Sequence, residues 1–137
     1  MDVLFELIGG AEGVAKKLVF SALKNKIHVI TANKALMAKY GDQLALLAEK
    51  NQVNLEYEAS VAGGIPIIRS IKEGLIANKI NKISGIFNGT SNYILSTMEN
   101  SRKSFSEALS DAKNLGFAES NPISDLNGDD SASKLRI

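Results

Sequence analysis

The chain has 137 residues, 45% hydrophobic and 23% charged, which provides apolar material for one globular core or for parts of two. A formal net charge of +1 without a run of like charges provides no footprint for nucleic acid or an anionic membrane, so we expect a small-molecule or protein partner. Without cysteine, and with His28 as the single histidine, neither a disulfide nor a zinc site is expected. The first apolar stretch lacks the basic start of a signal peptide, and a reducing cytoplasm fits the composition.

Strand and helix patterns alternate in the first third of the chain. The apolar run Val3–Ile8 ends at Gly9 and Gly10, which is typical of a buried parallel strand that leads into a tight turn. Further strands are predicted at Ile27–Thr31 and Val53–Tyr57. Alternation of this kind predicts an α/β fold with a parallel sheet and right-handed crossovers.

Two helices are predicted between these strands. The first is indicated by Val14, Leu18 and Ala22, which recur at four-residue spacing and are expected to face the core. The second is expected from about Asp42 to Lys50. Its expected buried residues are Leu44, Leu47 and Ala48.

The pattern changes after the third strand, and a domain boundary is predicted near Glu58, between residues 1–57 and 58–137. A helix is expected over Pro66–Asn78 and a strand over Ile80–Phe87. The side chains expected to be buried in that helix are Ile68, Ile71 and Leu75.

The last third is predicted to be mainly helical. One helix is expected to start at Thr90, and Ser104 followed by Glu107 matches a capping box for another that ends at Gly116. A polar loop then leads to a final helix from about Asp129. The residues expected in the core are Tyr93, Ile94, Met98, Phe105, Ala108, Leu109 and Ala112.

Three sets of residues are candidates for ligand binding, each with an ordinary structural alternative. Gly9, Gly10 and Lys34 follow predicted strands, where doubly wound sheets bind ligands, although neither a dinucleotide fingerprint nor a phosphate-binding loop is present. Asp130 and Lys134 share a helix face, which by spacing alone is a surface ion pair worth about 0.2–0.5 kcal/mol. A lysine that exchanges protons with a substrate would need partial burial.

The third set is Gly63-Gly64-Ile65-Pro66, which is either a turn into a helix or a loop whose main-chain carbonyls coordinate a hard cation such as sodium. The acidic residues near the end of the chain do not have the order of a calcium-binding EF-hand loop.

Four stretches together resemble homoserine dehydrogenase, in that family's order and spacing: Thr31–Lys34, Glu58–Pro66, Gly85–Leu95 and Gly116–Lys134. The resemblance implies the carboxyl-terminal half of a Rossmann-like sheet followed by part of an α+β substrate domain. It also implies reversible NAD- or NADP-dependent reduction of aspartate semialdehyde to homoserine, in threonine and methionine biosynthesis. The enzyme is expected to be cytoplasmic and homo-oligomeric.

The same resemblance implies residue roles. Lys134 is expected to be the acid–base lysine, with Asp130 holding the proton or orienting it, and Glu119 is expected to pair with the substrate ammonium. Asp125 would brace the loop, and Lys34 would face the substrate carboxylate and the nicotinamide ribose. Cofactor contacts are expected from Lys34, Gly116, Gly9 and Gly10. A structural sodium ion is expected on main-chain oxygens of Glu58, Val61, Gly63 and Ile65.

Two departures from the family pattern are Phe117, where a tyrosine is usual, and Asn121, where an aspartate is usual. The family's glycine loop and adenosine-binding half would precede Met1 and its dimer-forming segments would follow Ile137, so a fragment without turnover of its own is expected. The alternative is a non-catalytic remnant or interaction module derived from that enzyme. Another semialdehyde or hydroxy-acid dehydrogenase ranks last, since its expected catalytic cysteine or histidine is missing.

Overall fold

A computed structural model describes residues 1–137, which form two compact units. The first unit comprises Met1–Ile80 with Arg136–Ile137, and the second comprises Asn81–Leu135. None of the helices combines the length and the apolar character needed to cross a membrane.

A parallel three-stranded sheet forms the centre of the first unit. Its strands are β1 (Val3–Glu6), β2 (His28–Thr31) and β3 (Leu55–Glu56), and their order in the sheet is their order in the chain. The predicted parallel α/β arrangement is confirmed. All three strands are shorter than predicted, and β1 lies at an edge of the sheet.

Helix α1 (Val14–Lys24) is confirmed, but its buried face differs from the predicted one. Val14 and Leu18 are 62% and 42% exposed, while the core side of the helix is formed by Ala15, Val19, Ala22 and Leu23. Two apolar stripes at helical spacing run along this helix, and within the unit only one of them is covered. Periodicity alone could not determine which stripe the sheet covers.

Helix α2 (Lys34–Asn51) begins eight residues earlier than predicted. The cause is a cap: the side-chain oxygen of Asn33 accepts a hydrogen bond from the main-chain N–H of Leu36 at 3.0 Å. Leu44 and Ala48 are buried as expected, and Leu47 is partly buried against the same core.

The predicted long helix over Pro66–Asn78 is wrong in extent. A single 3-10 turn (Glu58–Ser60) is followed by a short helix α3 (Ile67–Arg69) and a π-helical turn (Ser70–Gly74). The apolar stripe that suggested a longer helix is covered only in part, since Ile68 and Ile71 are partly buried and Leu75 is 44% exposed. Amphipathic helices obtain most of their stability from packing that face, so the helix ends early.

The strand predicted over Ile80–Phe87 does not form, and this stretch has no helix or strand. Ile80, Ile83 and Ile86 are 42%, 51% and 56% exposed. A strand requires a partner for its main-chain hydrogen bonds, and none of the sheet's three strands pairs with this stretch.

The second unit is helical, with α4 (Gly89–Ser101), α5 (Phe105–Asn114), α6 (Ile123–Leu126) and α7 (Asp129–Arg136). The helix starts predicted near Thr90 and Asp129 are confirmed, whereas α6 lies in the predicted polar loop. The unit's core contains Ile94, Ala108, Ala112 and Ala118, with Tyr93, Met98 and Leu109 packed against it. Phe105 is 48% exposed, so its assignment to the core is wrong.

The capping box at the start of α5 is confirmed and gives a stability prediction. Ser104 Oγ accepts from the N–H of Glu107, and the Glu107 carboxylate accepts from the N–H of Ser104 at 2.8 Å. We expect Ser104→Ala to lower the free energy of unfolding by about 1 kcal/mol in urea titrations, because an N-terminal donor of the helix loses its acceptor. Ser110→Ala, an exposed position in the same helix, is the control. Equal midpoints for the two variants would contradict the prediction.

Candidate active site

A buried carboxylate joins the ends of β1 and β2. Glu6 is 1% exposed, and its Oε1 accepts hydrogen bonds from the main-chain N–H groups of Ile8 (2.8 Å) and Gly9 (3.1 Å). Its Oε2 accepts from the hydroxyl of Thr31 at 2.7 Å. Because a buried charge is tolerated only with donors around it, Glu6 holds the turn after β1 against the end of β2.

These contacts also determine the protonation of Glu6. Burial by itself raises the pKa of a carboxyl, but the hydrogen bonds from Thr31, Gly9 and Ile8 outweigh it and lower the pKa of Glu6 below its usual value of 4.5. The carboxylate is therefore charged at neutral pH.

Asn33 extends this network to the predicted cofactor residues. Its main-chain N–H donates to Thr31 Oγ1 at 3.0 Å, and its side-chain amide donates to the carbonyl of Gly10 at 2.7 Å. The next residue, Lys34, is the partly buried first residue of α2. Gly10 and Lys34 therefore both lie at the carboxyl end of the sheet, and Asn33 contacts Gly10 directly.

The backbone at Gly9 and Gly10 is suited to a close approach by a ligand. Both have left-handed φ angles, 85° and 80°, and a Cβ built at either position would meet no heavy atom within 4 Å. Open space and main-chain groups at the end of a parallel strand fit a nucleotide cofactor.

In the second unit, Asp130 and Lys134 form an ion pair that is largely removed from solvent. Lys134 Nζ lies 2.7 Å from Asp130 Oδ2, and the side chains are 25% and 8% exposed, respectively. Lys134 also donates to the main-chain carbonyl of Phe87 at 2.6 Å. The pair is therefore not the solvated surface contact that spacing alone suggested, and it meets the condition of partial burial.

Asn88 connects this pair to a second carboxylate. It is 7% exposed, and its side-chain nitrogen lies 2.8 Å from Asp130 Oδ2 and 2.8 Å from Asp125 Oδ1. Its side-chain oxygen accepts from the N–H of Ser91 at 2.9 Å, which caps α4. Three predicted site residues, Asp125, Asp130 and Lys134, are thus brought together around the start of α4.

The start of α4 also holds the loop that follows α5. The hydroxyl of Thr90 lies 2.6 Å from the carbonyl of Phe117 and 3.1 Å from Asp125 Oδ2. The phenyl ring of Phe117 stacks on Tyr93, with centroids 4.7 Å apart and planes at 20°. Phe117, which stands where the family usually has a tyrosine, therefore has an aromatic partner. Gly116, with a φ of 78°, ends the helix as predicted.

Glu119 is not part of this cluster. Its side chain is exposed, and it follows the buried Ala118 in the loop between α5 and α6. The structure therefore does not bring it into hydrogen-bond contact with Asp125, Asp130 or Lys134.

The predicted sodium-binding segment forms a tight turn in the first unit. The carbonyl of Ala62 accepts from the N–H of Ile65 at 2.8 Å, and Ala62 has a left-handed φ of 48°. The Glu58 carboxylate accepts from the N–H groups of Ile68 (3.0 Å) and Arg69 (2.8 Å), which closes the segment from the other side. A Cβ at Gly63 would meet nothing within 4 Å, so the space beside this backbone is open to an approaching ion.

Sequence reasoning missed Glu6 as a structural centre and Asn88 as a link between carboxylates. A signal existed for Glu6, because a single carboxylate within an apolar strand must be paired with donors if it is buried. For Asn88 the sequence indicates first a turn and helix cap, and only secondarily a polar wall that faces a ligand. Its second contact, with Asp130, joins residues 42 positions apart.

Comparison with known proteins gives matches along the chain. The sequence profile described as "Homoserine dehydrogenase, NAD binding domain" matches residues 1–58, and the one described as "Homoserine dehydrogenase" matches residues 66–137. The homoserine dehydrogenases of Neisseria gonorrhoeae and Bacillus subtilis are each 49% identical over all 137 residues, which are 31% of their own length.

Solved structures agree with these matches. A homoserine dehydrogenase from Thiobacillus denitrificans superimposes with a TM-score of 0.90 at 49% identity, over 98% of this chain and 31% of that one. A hyperthermophilic archaeal homoserine dehydrogenase mutant in complex with NADPH gives 0.89 at 32% identity, over 98% of this chain and 41% of that one.

These matches define the class of protein: dehydrogenases that have an NAD-binding domain. The chain belongs to the homoserine dehydrogenase family, and it spans about a third of the length of the curated relatives it matches.

The network around Glu6 gives a prediction with a definite sign. Since the folded pKa of Glu6 is lowered, its contribution to stability is present above pH 4.5 and is lost as the pH falls through the folded value. Glu6→Gln removes this pH dependence and points amide hydrogens at N–H donors, which we expect to lower the free energy of unfolding at neutral pH by about 1–3 kcal/mol.

Urea unfolding at a series of pH values measures both effects. Glu49→Gln, which makes the same change at an exposed position of α2, is the control. A Glu6→Gln curve that coincides with the control at all pH values would show that Glu6 does not stabilise the sheet.

Proposed function

We propose that this chain is part of an enzyme that interconverts aspartate semialdehyde and homoserine with a nicotinamide cofactor. The observation that carries the proposal is the partly buried ion pair of Lys134 and Asp130, which lies within the segment that matches the family. An exposed pair would be screened by water, whereas a pair in this environment can hold a proton at one atom and deliver it to another.

Lys134 is the proposed acid–base group. Two of the three N–H groups of its ammonium are directed by Asp130 and by the carbonyl of Phe87, and the third is available to a substrate oxygen. In the reducing direction Lys134 gives a proton to the aldehyde oxygen, and in the reverse direction it takes the proton of the alcohol. A bound nicotinamide cofactor supplies or accepts the hydride.

The substrate roles carried over from the family complete the proposal. Asp130 orients Lys134 or holds the oxygen's proton, and Asp125 braces the loop. Glu119 pairs with the substrate α-ammonium, which its exposed side chain leaves accessible. Lys34, at the start of α2, supplies positive charge for the substrate carboxylate and the nicotinamide ribose.

The cofactor is proposed to be NAD or NADP. The NADPH in the structure of the archaeal relative supports this class. Its contacts in this chain would come from Lys34 and from the backbone of Gly9, Gly10 and Gly116, all three of which have left-handed φ angles. We accordingly assign residues 1–57 to the cofactor-binding domain and residues 58–137 to the substrate domain.

A sodium ion is proposed as a structural ligand of the segment after β3. Its ligands would be main-chain oxygens of Glu58, Val61, Gly63 and Ile65. Two observations support the fit. The space beside Gly63 is open, and the carbonyl that closes the turn belongs to Ala62, which is not one of the proposed ligands. The ion would fix this turn and take no part in proton transfer.

The cellular setting proposed with this activity is that of the family: a cytoplasmic, homo-oligomeric enzyme of threonine and methionine biosynthesis. A formal net charge of +1 is consistent with a small-molecule substrate.

The test is a hybrid enzyme. The 137 residues would replace the matching segment of the Bacillus subtilis relative, and oxidation of NADPH or NADH by aspartate semialdehyde would be followed. We expect turnover from the hybrid and none from the chain alone. A hybrid that folds and binds cofactor but gives no turnover would support the alternative of a non-catalytic remnant.

Substitution of the lysine locates the chemistry. In the hybrid, Lys134→Ala is expected to lower kcat by about 10²–10⁴-fold, because an acid–base group contributes that range. Asp130→Asn removes the charge that orients the ammonium and is expected to lower kcat as well. Lys113→Ala, at an exposed position of α5, is the matched control. Retention of full kcat by Lys134→Ala would exclude Lys134 as the acid–base group.

A further inference from the structure

Asn88 occupies an unusual position between two carboxylates. Its side-chain nitrogen is 2.8 Å from Asp125 Oδ1 and 2.8 Å from Asp130 Oδ2, in an environment where Asn88 and Asp130 are 7% and 8% exposed. A primary amide has two N–H groups, so it can serve both carboxylates at once. Asn88 therefore uses its full donor capacity on two acidic side chains.

These carboxylates would repel each other without a donor between them. Lys134 pairs with Asp130, and Asp125 is a second carboxylate in contact with the same amide. The amide reduces the repulsion without adding a charge, and it supplies the hydrogen bonds that a desolvated ion pair requires. A lysine in the place of Asn88 would compete with Lys134 for Asp130, while an aspartate would add a third negative charge.

The same oxygen of Asp130 accepts from both Asn88 and Lys134, at 2.8 Å and 2.7 Å. That oxygen therefore joins the side-chain amide of Asn88 to the ammonium of Lys134. The carbonyl of the preceding residue, Phe87, takes a second N–H of Lys134 at 2.6 Å. Two consecutive residues thus hold the ion pair at both of its ends.

Asn88 is itself held in place by the helix it caps. Its Oδ1 accepts from the N–H of Ser91 at 2.9 Å, and its carbonyl accepts from the N–H of Asn92 at 3.0 Å. An amide held at its oxygen presents its nitrogen in a fixed direction. The start of α4 is therefore connected to Lys134 through the side chain of Asn88 and the ion pair of Asp130 with Lys134.

We propose that Asn88 is a positioning residue that orients Asp130, and through Asp130 the ammonium of Lys134, for proton transfer. The proposal rests on the function proposed above and adds to it a residue outside the catalytic pair. Helix capping and positioning are two separate tasks of the same side chain, since one uses Oδ1 and the other uses Nδ2.

Asn88→Asp separates the two tasks. It retains an oxygen that caps α4 and removes both N–H donors. Asn92→Asp makes the same chemical change at an exposed position of the same helix and is the matched control. Asn88→Ser also retains a capping oxygen and removes the amide, without adding charge, and is used together with Asn88→Asp.

The first measurement is NMR on the chain itself, with the side-chain signals of Lys134 and Asp130 and the amide exchange of α4 as readouts. We expect Asn88→Asp and Asn88→Ser to shift both side-chain signals while the α4 amides stay protected, and Asn92→Asp to change neither. Unchanged Lys134 and Asp130 signals would overturn the proposal. So would a loss of α4 protection in both Asn88 variants, because the residue would then act only in folding.

The second measurement is kinetics in the hybrid enzyme. We expect Asn88→Ser to lower kcat on the order of 10²-fold, the effect of a small misplacement of a reacting group, with KM for aspartate semialdehyde changed less than about threefold. A change in KM alone, or an unchanged kcat, would overturn the proposal. If the unsubstituted hybrid has no activity, the proposed function fails, and the NMR signals still decide whether Asn88 orients the pair.

Discussion

Glu6 and Asp130 lose almost all of their contact with water when the chain folds. In each unit, hydrogen-bond donors of the protein take the place of that water. A carboxylate left unpaired in such an environment is strongly destabilising, and loss of one partner of a buried ion pair costs about 3–5 kcal/mol. In this structure no buried side-chain nitrogen or oxygen lacks a hydrogen-bond partner. The requirement to supply donors to these two carboxylates explains why particular turns, hydroxyls and amides lie where they do.

The donors come from the starts of helices and from the turn that follows β1. Asn33 caps α2 and joins Thr31 to Gly10, while Asn88 caps α4 and contacts both Asp125 and Asp130. An asparagine is suited to both places because its oxygen accepts from the helix while its nitrogen donates elsewhere. The candidate cofactor and substrate residues are thus positioned by caps, whose geometry is fixed by the main chain.

The apolar surface follows a different rule. Side chains on and after β1 remain open to solvent, with Phe5, Leu7 and Ile8 at 64%, 73% and 64% exposed. Burial of such groups is worth roughly 25 cal/mol per Å², so their exposure forgoes stabilisation. Residues 80–87 likewise have no partner strand and form no strand, and the helix predicted over Pro66–Asn78 ends early where its apolar side chains are uncovered. Capping and hydrogen bonding operate locally in this chain, whereas apolar stripes depend on what lies opposite them.

The sequence by itself determined the parallel α/β arrangement, the capping box at Ser104 and the starts of α4 and α7, because spacing and cap residues act over a few positions. It also identified the family and the pairing of Asp130 with Lys134. Only the tertiary structure decided that this pair is partly buried, that Val14 and Leu18 face outward, and that Asn88 joins Asp125 to Asp130. The contacts of Asn88 join it to residues that lie 37 and 42 positions later in the chain. Such contacts, like the burial of a helix face, depend on how the helices pack, and hydrophobic periodicity carries no information about that packing.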